Sequence, residues 1–290
     1  MESSCELRNL VPEPPVVWQR MLRFVGWSDQ DRQAALQSVD ILFRHGPDLV
    51  VTIYDHLLHV PETAAILGWD RRTNESHLAE RRRFFTLWLL RVLALDTSDE
   101  CAAYLFQAGK AHAGHGPRRI YTPPDYVTGS MGLVLAQFAQ HLATSGLSSR
   151  TSGEALAAWN KYLAVHQHML LFGHQVARDM HEGSITVHCT VFGRLRPILG
   201  TTDLDISMQG GATVGDVLRK LFNYYPQARG EALEQVWESE EQALWPELIP
   251  VYRPRRGWRV LLDGREIEYR GGTARPVHAA ANLALFPPGR

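Results

Sequence analysis

The chain has 290 residues, 45% hydrophobic and 21% charged, a length that favours two domains and a composition that excludes disorder and an extended coiled coil. Thirty basic against 31 acidic side chains leave a formal net charge of -1, so no global field gathers nucleic acid or anionic lipid. Cys5, Cys101 and Cys189 are too few and too scattered for a disulfide framework or a zinc site, and the start, MESSCELRNL, carries no basic segment followed by an apolar run. With no uncharged apolar stretch of about 18 residues either, the expectation is a soluble cytoplasmic protein with neither membrane nor nucleic-acid partner.

In chain order, apolar residues recur at three and four from Asp29 to Met180, which predicts an all-α half. The predicted helices span 29–43, 46–59, 77–94, 99–113, 124–144 and 153–180, with Pro47 at a first-turn position and Gly146 at a stop. After Glu182-Gly183-Ser184 the period changes: Ile185, Val187, Cys189 and Val191 alternate with Thr186, His188 and Thr190, which is strand spacing. A second strand over 203–208, a helix over 213–222 and strands over 258–262 and 283–286 follow. The domains are therefore expected at 1–181, all-α, and 182–290, small α+β. Within the second domain, between the helix over 213–222 and the strand over 258–262, lies an insertion at 228–250, where Leu233, Trp237, Leu244 and Leu248 fall on one side of a predicted helix and Glu238, Glu240 and Glu241 on the other.

Among 13 histidines, His112 continues the stripe Ala102, Leu105, Gly109, so its imidazole projects from a buried helical face, and Gly109 one turn earlier leaves room for something flat and large. Phe84, Phe85, Trp88 and Leu89 on one helix and Ile53, Tyr54 and Leu57 on another supply apolar walls. A haem needs such an imidazole at the edge of an apolar slot; an ordinary core with a satisfied histidine fits the same pattern. His115, beyond Gly114, is the rival ligand.

The strings IYDHLLHVPETAAIL (53–67), RRRFFTLWLL (81–90) and AGKAHAGHG (108–116), followed by IYTPPDYVTGSM, resemble the globin domain of protoglobins and globin-coupled sensors over about residues 25–180. The resemblance implies a globin fold and haem b. It sets His112 at the proximal position, Tyr54 at the position whose hydroxyl donates to the diatomic ligand (O2, CO or NO), and Phe85 on the distal helix. It also implies a homodimer through the last two helices, to which Leu156, Trp159, Leu163, Leu170 and Val176 are expected to give surplus apolar surface. Arg118 and Arg119 are the arginines expected at the propionates. The Trp-Tyr pair that sensors often carry past the ligand is missing.

The segments VHCTVFGRLRPILG (187–200), GATVGDVLRKLFNYYP (211–226), VLLDGREI (260–267) and ALFPP (284–288) resemble the ubiquitin-like β-grasp proteins of the MoaD and ThiS group. That resemblance implies docking on an E1-like activating enzyme or a molybdopterin-synthase-like subunit. The family's diglycine end is replaced by Gly289-Arg290, so sulfur transfer from this tail is not expected. No phosphate loop, nucleophile elbow or zinc-spaced cluster is found. The expectation is a gas-binding sensor rather than an enzyme, with a globin-regulated sulfur carrier as the alternative.

Overall fold

The structure is a computed structural model that describes residues 5–241, 246–269 and 271–287. It divides into two compact units, Glu13–Gln175 and Val176–Arg290, the second joined by the segment Met1–Pro12. The expected boundary gave the first residues to the helical half; instead Leu7 bridges Tyr252 in the second unit.

The helical unit is built from α1 (Pro14–Phe24), α2 (Asp29–Arg44), α3 (Gly46–His59), α4 (Pro61–Ile66), α5 (Glu75–Leu93), α6 (Asp99–His112), α7 (Pro124–Ala143) and α8 (Ser149–Asp179), whose last turn belongs to the second unit. Side chains set the starts. Ser28 and Asp31 form a reciprocal capping box on α2, while Asn74 and Ser98 cap α5 and α6. Proline occupies the first turn of α1, α3, α4 and α7, where a missing N–H costs nothing. Helices α1 and α4 escaped the sequence reading, the second because six residues are too short to show a period. Trp18, Trp159, Tyr162, Phe106 and Phe138 are fully buried and form the centre of the core. Trp159, Leu163, Leu170 and Val176, expected to supply surface for a partner copy, are buried within the chain itself.

The second unit carries β1 (Ile185–Val191), α9 (Leu195–Leu199), β2 (Asp203–Met208), α10 (Val214–Tyr224), α11 (Arg229–Ala232), β3 (Leu233–Glu241), β4 (Pro246–Pro254), β5 (Arg259–Leu262), β6 (Arg265–Glu266) and β7 (Asn282–Phe286). Its main sheet has the order β2-β1-β7-β5-β6. The central β1 and β7 run parallel, and the other neighbours are antiparallel. Val187, Cys189 and Val191 of β1 face the core, as do Val214, Val217, Leu218, Leu221 and Phe222 of α10. This mixed sheet with one amphipathic helix is the β-grasp arrangement, so the chain is a globin-like helical domain followed by a small α+β domain. Among the described residues no helix is long and apolar enough to cross a membrane.

The insertion corrects the sequence reading. After the single turn of α11, Leu233–Glu241 and Pro246–Pro254 pair as the antiparallel strands β3 and β4 instead of continuing a helix. Pro246, Pro250 and Pro254 recur along β4, and each would break a helical turn. Val236, Trp237, Ile249, Val251 and Tyr252 are strand formers. Leu244, Gly289 and Arg290 lie outside the described residues, as does Pro288.

Candidate functional site

His112 ends α6, and two bonds hold it. Its Nδ1 lies 2.7 Å from the Ala108 carbonyl, an acceptor, so Nδ1 carries the ring proton and Nε2 keeps its lone pair. Its own carbonyl accepts the Thr122 N–H at 2.7 Å, which folds the loop back on the helix end. Burial lowers the His112 pKa against the raising effect of the Ala108 bond, and the Arg81 charge lowers it further, so the ring is neutral at physiological pH. A neutral, oriented imidazole is the form that ligates a metal. His115 falls past the helix end, after Gly114 at φ 93°, and is not on the α6 stripe.

Tyr54 and Ile53 are buried on α3, and Leu57 is half-buried one turn later. The Tyr54 ring meets Phe85 edge-on at 6.0 Å, and Phe85 lies 5.1 Å from Trp88. These three expected wall residues are thus brought together by α3 and α5. The Tyr54 hydroxyl donates to the Arg81 carbonyl at 3.0 Å. Burial raises its pKa to about 12 despite the opposing charges of Arg81 and Arg82, so it stays a proton donor. The Arg81 charge thus lowers the pKa of both Tyr54 and His112. Leu89 and Leu105 are buried on α5 and α6.

Gly109 is where the expectation fails. A Cβ there would sit 2.1 Å from the Leu170 carbonyl oxygen, and one at Gly173 would sit 2.1 Å from that of Phe106. The two glycines let α6 and α8 cross with their backbones in contact, so Gly109 opens space for a helix and not for a flat ligand. Arg118, expected at a propionate, donates to Glu80 at 2.5 Å. Arg119 takes φ 51° in the loop.

Several residues at this site were not singled out by sequence. The His77 ring lies between Trp69 Nε1 at 3.2 Å and Arg81 Nε at 3.0 Å, and as a neutral imidazole with one acceptor nitrogen it serves one donor at a time. Deeper in the core, Trp88 Nε1 donates to His166 Nδ1 at 3.3 Å, which puts the His166 proton on Nε2. That Nε2 is buried with no partner among the described residues, beside Trp18 and Tyr162. Desolvation pushes the His166 pKa down to about 3. Position on the apolar stripe of α8 was the available signal, and it does not separate His166 from other core residues.

The donor chemistry fits a haem: one neutral imidazole with a free Nε2, an apolar aromatic wall and a buried phenol. It does not fit a metal held by protein alone, since no cluster of three His, Cys, Asp or Glu able to hold an ion occurs among the described residues.

The protoglobin family model matches residues 17–177, more than half of the chain. The globin domain of the Geobacter sulfurreducens globin-coupled sensor is similar at 18% identity, over 55% of this chain and 96% of that one, with a TM-score of 0.46. SAMP1 from Haloferax volcanii is similar at 23% identity over 36% of this chain and 96% of that one, with a TM-score of 0.27. The small archaeal modifier protein 1 from Methanosarcina acetivorans is similar at 24% identity over 36% and 93%, with the same TM-score of 0.27. No curated protein matches the chain.

Proposed function

The chain belongs to the protoglobin family, and on that premise we propose that it binds haem b through His112 Nε2 and serves as a diatomic-gas sensor whose β-grasp unit meets a protein partner. The observation that carries this reading is the 2.7 Å contact from His112 Nδ1 to the Ala108 carbonyl, which leaves Nε2 as an acceptor. Haem iron supplies a coordination site for O2, CO or NO. Phe85, Trp88, Leu89, Leu105, Ile53 and Leu57 exclude water around it, and Tyr54 supplies a hydroxyl donor. That hydroxyl reaches a ligand by exchanging its bond to the Arg81 carbonyl, so its net contribution is the difference between two acceptors.

The β-grasp unit is an interaction module in this reading, suited to an E1-like or molybdopterin-synthase-like partner; a sulfur-carrier role regulated by the globin is the second reading, favoured by the sheet order β2-β1-β7-β5-β6. Neither reading makes the chain an enzyme. Homodimerisation through α7 and α8 belongs to the same proposal: Gly129, Gly132 and Ala136 of α7 and Gly153, Ala157 and Ala164 of α8 are exposed and small, which permits close helix approach. Sedimentation at micromolar concentration tests it, and a monomer rejects it. The main reading is tested by reconstituting the purified chain with haemin and recording the ferrous and CO spectra; a chain that takes up no haem ends it.

A further inference from the structure

His112 is the last residue of α6, and the last four carbonyls of a helix have no donor within it. At this end all four are met by the residues that follow. The Ala113 N–H reaches the Gly109 and Lys110 carbonyls at 3.1 Å, the Gly114 N–H reaches the Ala111 carbonyl at 3.2 Å, and the Thr122 N–H reaches the His112 carbonyl at 2.7 Å. Ala113 and Gly114 adjoin the helix and fray with its last turn. Thr122 lies beyond the loop, so its bond holds His112 even where that turn loosens. Pro123 and Pro124 follow and carry no N–H, which makes the Thr122 amide the last donor before α7.

Thr122 is itself held. Its carbonyl lies 3.0 Å from His174 Nε2, so that nitrogen carries the ring proton and donates it. His174 is buried, with its ring 5.5 Å from that of Tyr121, and Tyr121 pairs with Ala113 as an isolated bridge across the loop. His174 stands on α8 directly after Gly173, where α8 crosses α6; a Cβ on Gly109 would come 3.0 Å from the His174 backbone nitrogen. His112 and His174 are therefore mounted on two helices locked against each other, and Thr122 bridges them through its own N–H and C=O.

We propose that His174 is a positioning residue for the iron ligand: by anchoring the Thr122 carbonyl it fixes the N–H that holds His112 at the end of α6, and so fixes the direction of the imidazole. This rests on the reading of His112 as the haem ligand. A ligating imidazole keeps its orientation through the groups behind it. The Nδ1 bond to the Ala108 carbonyl sets the rotation of the His112 ring, and the His174–Thr122 link sets where its backbone stands. Without the His174 donor, the Thr122 carbonyl loses its partner and the loop can lift, which gives the ligand a spread of geometries in place of one.

The test uses the full chain reconstituted with haemin. His174→Phe keeps a ring beside Tyr121 and loses the donor, while His174→Gln places an amide N–H near the position of Nε2 and restores it. In the ferrous protein, the iron–histidine stretching band of the resonance Raman spectrum is expected to shift or broaden in His174→Phe and to return to its wild-type position in His174→Gln. Hydrogen exchange at the Thr122 amide should run about tenfold faster in His174→Phe, the size of one lost buried bond, and at the wild-type rate in His174→Gln. Should His174→Phe fail to fold, His174→Leu takes its place with the same expectations. An unchanged band in the variant without the donor overturns the proposal, and so does an equal change in both variants, which marks a packing role alone. A wild type with no iron–histidine band overturns the haem reading and the proposal together, an outcome distinct from the other two.

Discussion

Tyr54 and His166 are both buried polar side chains, and the account makes opposite demands on them. Tyr54 must exchange the Arg81 carbonyl, 3.0 Å away, for a gas ligand. A charge-assisted bond replacing a neutral one nets about 1 kcal/mol, so Tyr54→Phe should release O2 roughly fivefold faster by stopped flow. An unchanged off-rate assigns the donor to another residue. His166 has no exchange to make. Its folded pKa is pushed down to about 3 by desolvation, while an unfolded histidine titrates near its ordinary 6.5. The unfolded state therefore binds more protons between these values, and stability is full above about 6.5 and falls as the pH drops towards 3. Denaturant midpoints of the wild type should decline across that window, and those of His166→Phe should decline less. Equal slopes for the two proteins contradict the burial of a neutral imidazole. Tyr54 was singled out by its place in a recognisable string; His166 was not, because its identity as a neutral acceptor depends on Trp88, 78 residues away.

Elements were legible where a period and a cap coincide, as at α2 and α6, and illegible where a small residue serves a distant neighbour. The sequence shows that Gly109 is small but not that Gly173 crosses it. An alanine at either position puts a methyl 2.1 Å from a carbonyl oxygen, which forces α6 and α8 apart. Gly109→Ala and Gly173→Ala are each expected to cost about 2 kcal/mol or more, in the range of overpacked cores, as read from denaturant unfolding. A loss within about 0.5 kcal/mol, the range of a neutral surface change, means that the helices separate freely and that the crossing does not hold the end of α6 in place. The hairpin teaches the complementary lesson. Leu233, Trp237, Leu244 and Leu248 match a helical spacing, yet the spacing was weaker information than three prolines with a four-residue recurrence, which are incompatible with a helix and tolerated on a strand edge.

The molecule as a whole joins two units whose fold classes were both legible, because one carries a period near 3.6 and the other a period of two. The first residues were assigned by proximity in sequence to the helical half, and their pairing with Tyr252 is a long-range contact that no local pattern announces. Helical spacing and resemblance singled out Tyr54, Phe85 and Trp88, which meet in the structure, and also Phe84, which is exposed; the Arg81, His77 and Trp69 network was not legible, since it depends on side chains meeting across α5 and the α4–α5 loop. The central claim, haem held by His112, meets its most direct test in the absorption spectrum of the reconstituted wild type beside His112→Ala with and without imidazole. The account predicts a Soret band that shifts with CO in the wild type, its loss or alteration in the variant, and recovery on adding imidazole. A variant whose ferrous and CO spectra match the wild type without imidazole contradicts it and transfers the role to another histidine.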